Sequence, residues 1–267
     1  MFLSLICAAA VILLVIIFRP PGIFPVKRVE APEGEPGKEE YRVIKLFDFS
    51  SDGDLSQWEE KALASKKTDY TLAELDGSSC IKAVSEDSAS ALFFKRRISF
   101  EGDPYIAWDW KAELFPEKQK EESLRDKDEF DFVGQVYVIF YAAFYLNAEA
   151  IQYVWSSELA EGMKADSPYT GKVKLLVLES GPAEGWKHEM RNIAEDYREL
   201  FGRELDTDLM AISFMTDADS TSTRSVAYFD NIQVGYLTGG RKIDIPSEEE
   251  EDEREVSRGT EISVKER

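Results

Sequence analysis

Between Tyr41 and Tyr236, apolar and polar side chains alternate with a period of two in one short run after another. Val43–Phe49, Tyr70–Leu75, Ile81–Val84, Ala91–Phe100 and Tyr105–Glu113 follow this pattern, as do Ile151–Trp155, Val173–Leu178, Leu209–Met215 and Ser225–Val234. Successive side chains of a strand point to opposite faces, so each run predicts a β-strand with one face toward a core. Val133–Phe144 is almost continuously apolar, the pattern of a strand covered on both faces. About ten such strands separated by turn residues predict a mainly β fold, a two-sheet antiparallel sandwich of jelly-roll type.

One segment breaks the period. Glu189–Phe201 sets Met190, Ile193, Ala194, Tyr197 and Phe201 at helical spacing and stops at Gly202, so one short helix is expected. Phe115–Glu129 is charged throughout and predicts an exposed loop between two core strands, longer than a structural turn needs. Ahead of the strands, Phe2–Phe18 has no charge and stops at Arg19, Pro20 and Pro21. As a helix it would span roughly 26 Å, near the lower limit for a bilayer core. No Lys or Arg precedes it, and aliphatic residues follow its alanines. Both features favour an uncleaved N-terminal transmembrane helix over a cleaved signal peptide. The expected organisation is therefore an anchor over 1–19, a Pro/Gly/Glu-rich tether over 20–40, a sandwich domain over 41–237 and an acidic disordered tail over 238–267. Arg19, Lys27 and Arg28 after the span argue for a cytoplasmic body, whereas the aromatic-rich β pattern argues for an extracytoplasmic one. The expectation adopted is a single-pass membrane protein whose body lies outside the cytoplasm.

Charge narrows the partners. The chain has 32 basic and 52 acidic residues, a formal charge of −20. The run Ser247–Arg267, with nine acids and four bases, supplies only −5 of it, so the body is acidic too. A surface of that sign disfavours nucleic acid and anionic lipid. The partners expected are the membrane, through the N-terminal helix, and a polysaccharide or an envelope protein. Cys7 lies in the apolar run and leaves Cys80 alone, so no intrachain disulfide is expected, and Cys80 reads as a small buried side chain. The single histidine, His188, excludes a zinc site of several His and Cys ligands and reads as exposed and idle. No P-loop, dinucleotide fingerprint or G-x-S-x-G occurs.

Three constellations remain. Trp108, Trp110, Tyr153, Trp155 and Trp186 are the candidate ligand-binding set, because a pyranose presents apolar C–H faces to an aromatic ring. Core packing competes with this, since Trp108 and Trp110 share one face of a strand and Tyr153 and Trp155 another. In the loop Thr216–Thr223, Asp217 and Asp219 with the hydroxyls after them offer hard oxygens to calcium; Asx-type turns explain the same composition. Among the acids, Asp109, Asp131 and Glu179 sit in or beside strands and are candidates for the paired carboxyl groups of a glycan-active hydrolase or lyase.

Several short motifs occur in one order: Trp108-Asp-Trp110, Tyr153-Val-Trp155-Ser156, Glu179-Ser-Gly181, Trp186, Arg191-Asn192, Asp196-Tyr197-Arg198, Phe201-Gly202, Thr216-Asp217-Ala-Asp219 and Phe229-Asp230-Asn-Ile232. As a set they resemble an uncharacterised bacterial family, a domain of unknown function found in exported proteins. The resemblance implies no established activity. It implies paired aspartates and an arginine before the buried strand, where this chain has Phe130-Asp131 and Gln135. Leu46-Phe-Asp-Phe49 with Trp58, and Tyr228-Phe-Asp-Asn-Ile232, are similar to the first and last strands of carbohydrate-binding jelly rolls. That likeness implies a structural calcium, with Asp48 and Asp230 as the positions to inspect; no other cofactor is expected. The function expected is a membrane-anchored, non-catalytic binding module of the cell envelope, with glycan as the candidate ligand. A scaffold or assembly subunit and a glycan-active enzyme are the alternatives.

Overall fold

The computed structural model describes residues 41–142 and 147–238; the expected anchor and tether, and the expected tail beyond Thr238, lie outside the described residues. No helix among the described residues is long and apolar enough to cross a membrane. In chain order the first elements are β1 (Tyr41–Phe47), a one-turn helix α1 (Asp52–Leu55), β2 (Glu59–Ala62), β3 (Asp69–Leu75), β4 (Ser78–Glu86), β5 (Ser90–Ile98) and β6 (Asp103–Leu114). After a long connection come β7 (Gly134–Phe140), β8 (Ala150–Ser156), β9 (Lys164–Ser167), β10 (Thr170–Ser180), β11 (Lys187–Asn192), α2 (Ile193–Phe201), β12 (Leu209–Met215) and β13 (Arg224–Leu237).

These strands make two sheets. One runs β11-β6-β13-β4-β3, with β1 pairing β13 beyond the point where β4 ends; the other runs β2-β5-β12-β7-β8-β10-β9. The all-antiparallel expectation needs one correction, because β10 lies parallel to β8. The chain leaving β8 skips a position, forms the edge strand β9, and returns by a hairpin as β10 between them.

The facing sides of the two sheets close a core that includes Phe47, Phe94, Trp108, Trp110, Tyr153, Trp155, Phe214 and Phe229. A second apolar layer covers the outer side of the seven-stranded sheet. There Leu124, Phe130 and Phe132, from the connection ahead of β7, pack with Phe93, Tyr137, Ile139 and Val154. Every residue of β7 is buried, as its unbroken apolar run requires.

The charged segment Phe115–Glu129 is a loop with exposed charges, as the sequence predicts, but it also covers the sheet, burying Pro116, Glu122, Leu124 and Glu129. Its charges mislead because several are spent within the protein. Lys118 and Glu122, both nearly solvent-free, pair at 2.7 Å. Glu122 also accepts from the Ser156 and Ser157 hydroxyls and the Glu158 N–H. The Glu129 carboxylate accepts from the N–H groups of Gln119 and Lys120. Once these groups are paired, the backbone can lie flat and bury Leu124.

The predicted helix begins later than its apolar spacing suggests. Lys187–Asn192 is an edge strand, and α2 starts after Asn192, whose side-chain oxygen accepts from the N–H groups of Ala194 and Glu195. Gly202 closes it in the left-handed conformation, with φ 72°.

Candidate functional site

The structure divides the predicted aromatic set. Trp108 and Trp110 project inward from β6, and Tyr153 and Trp155 project inward from β8 in the opposing sheet. Trp108 meets Tyr153 at 5.3 Å between ring centroids, and Trp110 meets Trp155 at 5.5 Å. All four are at most 1 % exposed, so none can stack on a sugar. Gly134 permits this packing: a Cβ there would lie 3.1 Å from the Trp110 ring. Two polar edges are satisfied internally, with Tyr153 donating to Asp196 at 2.8 Å and the Trp155 indole donating to the Gly181 carbonyl at 2.9 Å. Only Trp186 keeps partial exposure, on the outer side of the six-stranded sheet against Tyr228. The groove of rings expected as a ligand site is thus core packing, because these positions of β6 and β8 face each other.

The acids Asp109, Asp131 and Glu179 are tied to different neighbours. Glu179 pairs with Lys187 at 2.9 Å. Asp109 meets the His188 ring at 2.5 Å and accepts from the Asn231 amide at 2.7 Å. His188 is exposed as predicted, yet engaged. Asp230 lies across from Asp109 in the pairing of β13 with β6 and is 4 % exposed. Burial, with the nearby Asp109 and Asp48 carboxylates, pushes its pKa up to about 6. Asp48 is exposed and accepts from the Ser50 N–H and hydroxyl, which hold its pKa below the usual range.

A second acidic group is tighter. Asp131, Asp217 and Asp219 each bring one carboxylate oxygen within 4.8 Å of the others; among the described residues no other trio of His, Cys, Asp or Glu does so. Asp131 lies just before β7, and Asp217 and Asp219 follow β12. Asp131 accepts from the Ser220 and Thr221 N–H groups and from the Thr221 hydroxyl. Asp217 Oδ1 accepts from the Phe132 N–H at 2.9 Å and from the Gln135 amide at 2.7 Å. Its Oδ2 is buried without a partner, and so is Asp219 Oδ1. Burial, followed by the neighbouring carboxylates, raises Asp217 well above the carboxylate range and Asp219 to about 6. The loop composition identified Asp217 and Asp219; only the fold reveals that Asp131 joins them.

The remaining feature is an open depression of about 670 Å³ where the covering segment, β9, β10 and α2 meet. Its charged lining is Arg125, Lys127, Lys164, Asp166, Lys174 and Glu199. Lys164 pairs with Glu199, and Lys174 with Asp166 at 2.6 Å. No carboxylate among the described residues pairs with Arg125 or Lys127, both exposed. Lys127 Nζ instead lies 5.1 Å from the Tyr169 ring centroid. Sequence reasoning missed this basin because each cation reads alone as solvated surface; the one signal was a loop longer than a turn requires.

A protein-family profile described as "Protein of unknown function (DUF3047)" matches residues 56–233. The chain belongs to this family. The match runs from just ahead of β2 into β13 and includes the acidic trio and the basin, so both are features of the DUF3047 region. No curated protein matches the chain. Similar solved structures include the family 11 carbohydrate-binding module of the cellulosomal cellulase Lic26A-Cel5E of Clostridium thermocellum, at 9 % identity and TM-score 0.40, covering 74 % of this chain and 94 % of that one. They also include the cellulose induced protein Cip1, at 10 % identity and TM-score 0.43, covering 71 % and 96 %. A third is the endo-β-1,4-glucuronan lyase of the fungus Trichoderma reesei, at 8 % identity and TM-score 0.39, covering 77 % and 100 %.

Proposed function

We propose that this chain is a non-catalytic β-sandwich binding module that holds an acidic glycan at the basin, tethered to a membrane by the apolar segment Phe2–Phe18. One observation carries the reading: in a protein of net charge −20, exposed Arg125 and Lys127 face a depression with no carboxylate paired to them among the described residues. A guanidinium presents parallel N–H donors that match a carboxylate, so a uronic acid is the sugar class this lining suits. The two lysine–carboxylate pairs brace the walls, and Tyr169 beside Lys127 adds an aromatic edge. The protein's overall acidity does not override a local patch, because exposed charges beyond roughly 8 Å are largely screened at physiological salt. Chemistry at this place is disfavoured by its own carboxylates. Lys164 holds Glu199 below its usual pKa, whereas a glycosidic acid needs the reverse.

The test is calorimetric titration of the protein with polygalacturonate and with a neutral glucan of equal length. Polygalacturonate binds, and binding weakens about tenfold or more in the double variant Arg125→Glu, Lys127→Glu, the loss expected when charge-assisted hydrogen bonds go. Equal binding of the neutral glucan, or an unaltered double variant, refutes the basin as the site. The tether is tested separately: full-length protein pellets with membranes and is released when Phe2–Phe18 is deleted.

A further inference from the structure

We propose that Asp131, Asp217 and Asp219 bind one calcium ion, which pins the segment covering the seven-stranded sheet to the loop between β12 and β13. Three observations lead there. The first is reach: one oxygen from each carboxylate falls within 4.8 Å of the others, and calcium ligands at 2.3–2.6 Å stand up to roughly 5 Å apart across the ion.

The second is an unmet need. Asp217 has no solvent exposure, and its Oδ1 is fixed by two hydrogen bonds while Oδ2 is buried without a partner. Asp219 Oδ1 is buried and unpartnered in the same way. A buried carboxylate oxygen left bare is costly, and one cation satisfies both.

The third is contrast. Three other buried acids have a basic partner: Asp196 with Arg191, Glu122 with Lys118, and Asp208 with Arg97. Among the described residues no Lys or Arg pairs with any member of this trio, although it is the densest acidic group.

The donors are all oxygen, with the Thr221 and Thr223 hydroxyls joined at 2.8 Å in the same loop. That set selects a hard ion and rejects zinc or copper. Calcium suits it better than magnesium, which keeps several of its waters and demands a near-ideal octahedron, whereas two of these carboxylates are sealed from solvent. The competing account is a proton held between the acids, which would need no ion.

The experiment strips the full-length protein with EGTA and titrates it with calcium chloride, then magnesium chloride, by calorimetry and thermal melting. One calcium binds per chain with a Kd of about 10⁻³ M or tighter, the melting temperature rises, and magnesium at the same concentration gives a smaller shift. Protease cleavage between Phe115 and Phe132 slows on calcium addition. Asp217→Asn removes a buried group and can fail to fold, so Asp219→Asn, at a partly exposed position, carries the test: it keeps the native circular dichroism and loses saturable calcium binding. The proposal is overturned if the stripped protein shows neither heat nor a melting shift at millimolar calcium, or if Asp219→Asn binds calcium like the parent. Either result leaves the basin reading standing, since no residue is shared between the two sites.

Discussion

At the scale of single residues, buried charge is the theme, and the protein resolves it in two ways. Asp196 is 3 % exposed and fully engaged: Arg191 grips both its oxygens, and Tyr153 donates to one of them from across the core. Three of the motifs noted in the sequence, around Tyr153, Arg191 and Asp196, thereby become one tie between β8, β11 and α2. Glu189 is the opposite case. Burial, with the Glu179 carboxylate beside it, pushes its pKa up to about 7 against an ordinary 4.5. The folded state then binds a proton that the unfolded chain releases, so this group's contribution is present in full below about pH 4.5 and is lost as pH rises to about 7. Glu189→Gln is expected to gain on the parent by on the order of 1–2 kcal/mol at about pH 8 and by nothing near pH 4, read by urea denaturation at each pH. None of this was legible beforehand, because a carboxylate's neighbours across a sheet are not its neighbours in sequence. The aromatic positions were legible as pairs sharing a strand face; which side of the sheet that face took was not.

At the scale of elements, alternation identified the strands with one apolar face and missed those without. β2 (EEKA), β9 (KADS) and β11 (KHEMRN) are short or polar edge strands whose pairing comes from a neighbour's backbone rather than from their own side chains. β11 also explains the displaced helix start. Met190 falls at helical spacing by coincidence and ends up 42 % exposed on the strand. Asn192 is where the backbone changes state, and its cap has a measurable worth. Asn192→Ala should cost about 1 kcal/mol, seen as a lower denaturation midpoint with an unaltered slope.

At the scale of the molecule, the seven-stranded sheet is a middle layer. It has the main core on one side and the chain's own covering segment on the other. Charge density hid this from sequence reasoning, because Lys118, Glu122 and Glu129 read as solvated surface until their partners in the fold are known. Leu124 is the wedge that holds the cover down, 3 % exposed. Leu124→Glu would put a carboxylate into this buried apolar position, and is expected to cost about 2–4 kcal/mol and to make the segment between Phe115 and Phe132 the first site of limited proteolysis. Unchanged protease resistance would show that the cover is held by its ion pairs alone.

The pairing of β1 with β13 has a mechanical corollary. Tyr41 sits opposite Leu237, so the two ends of the sandwich leave from the same corner. A load applied between them would open that strand pair like a zipper, rupturing its hydrogen bonds in succession instead of shearing them together. Under tension this corner should yield first, and β1 should peel away while the rest of the sandwich stays whole.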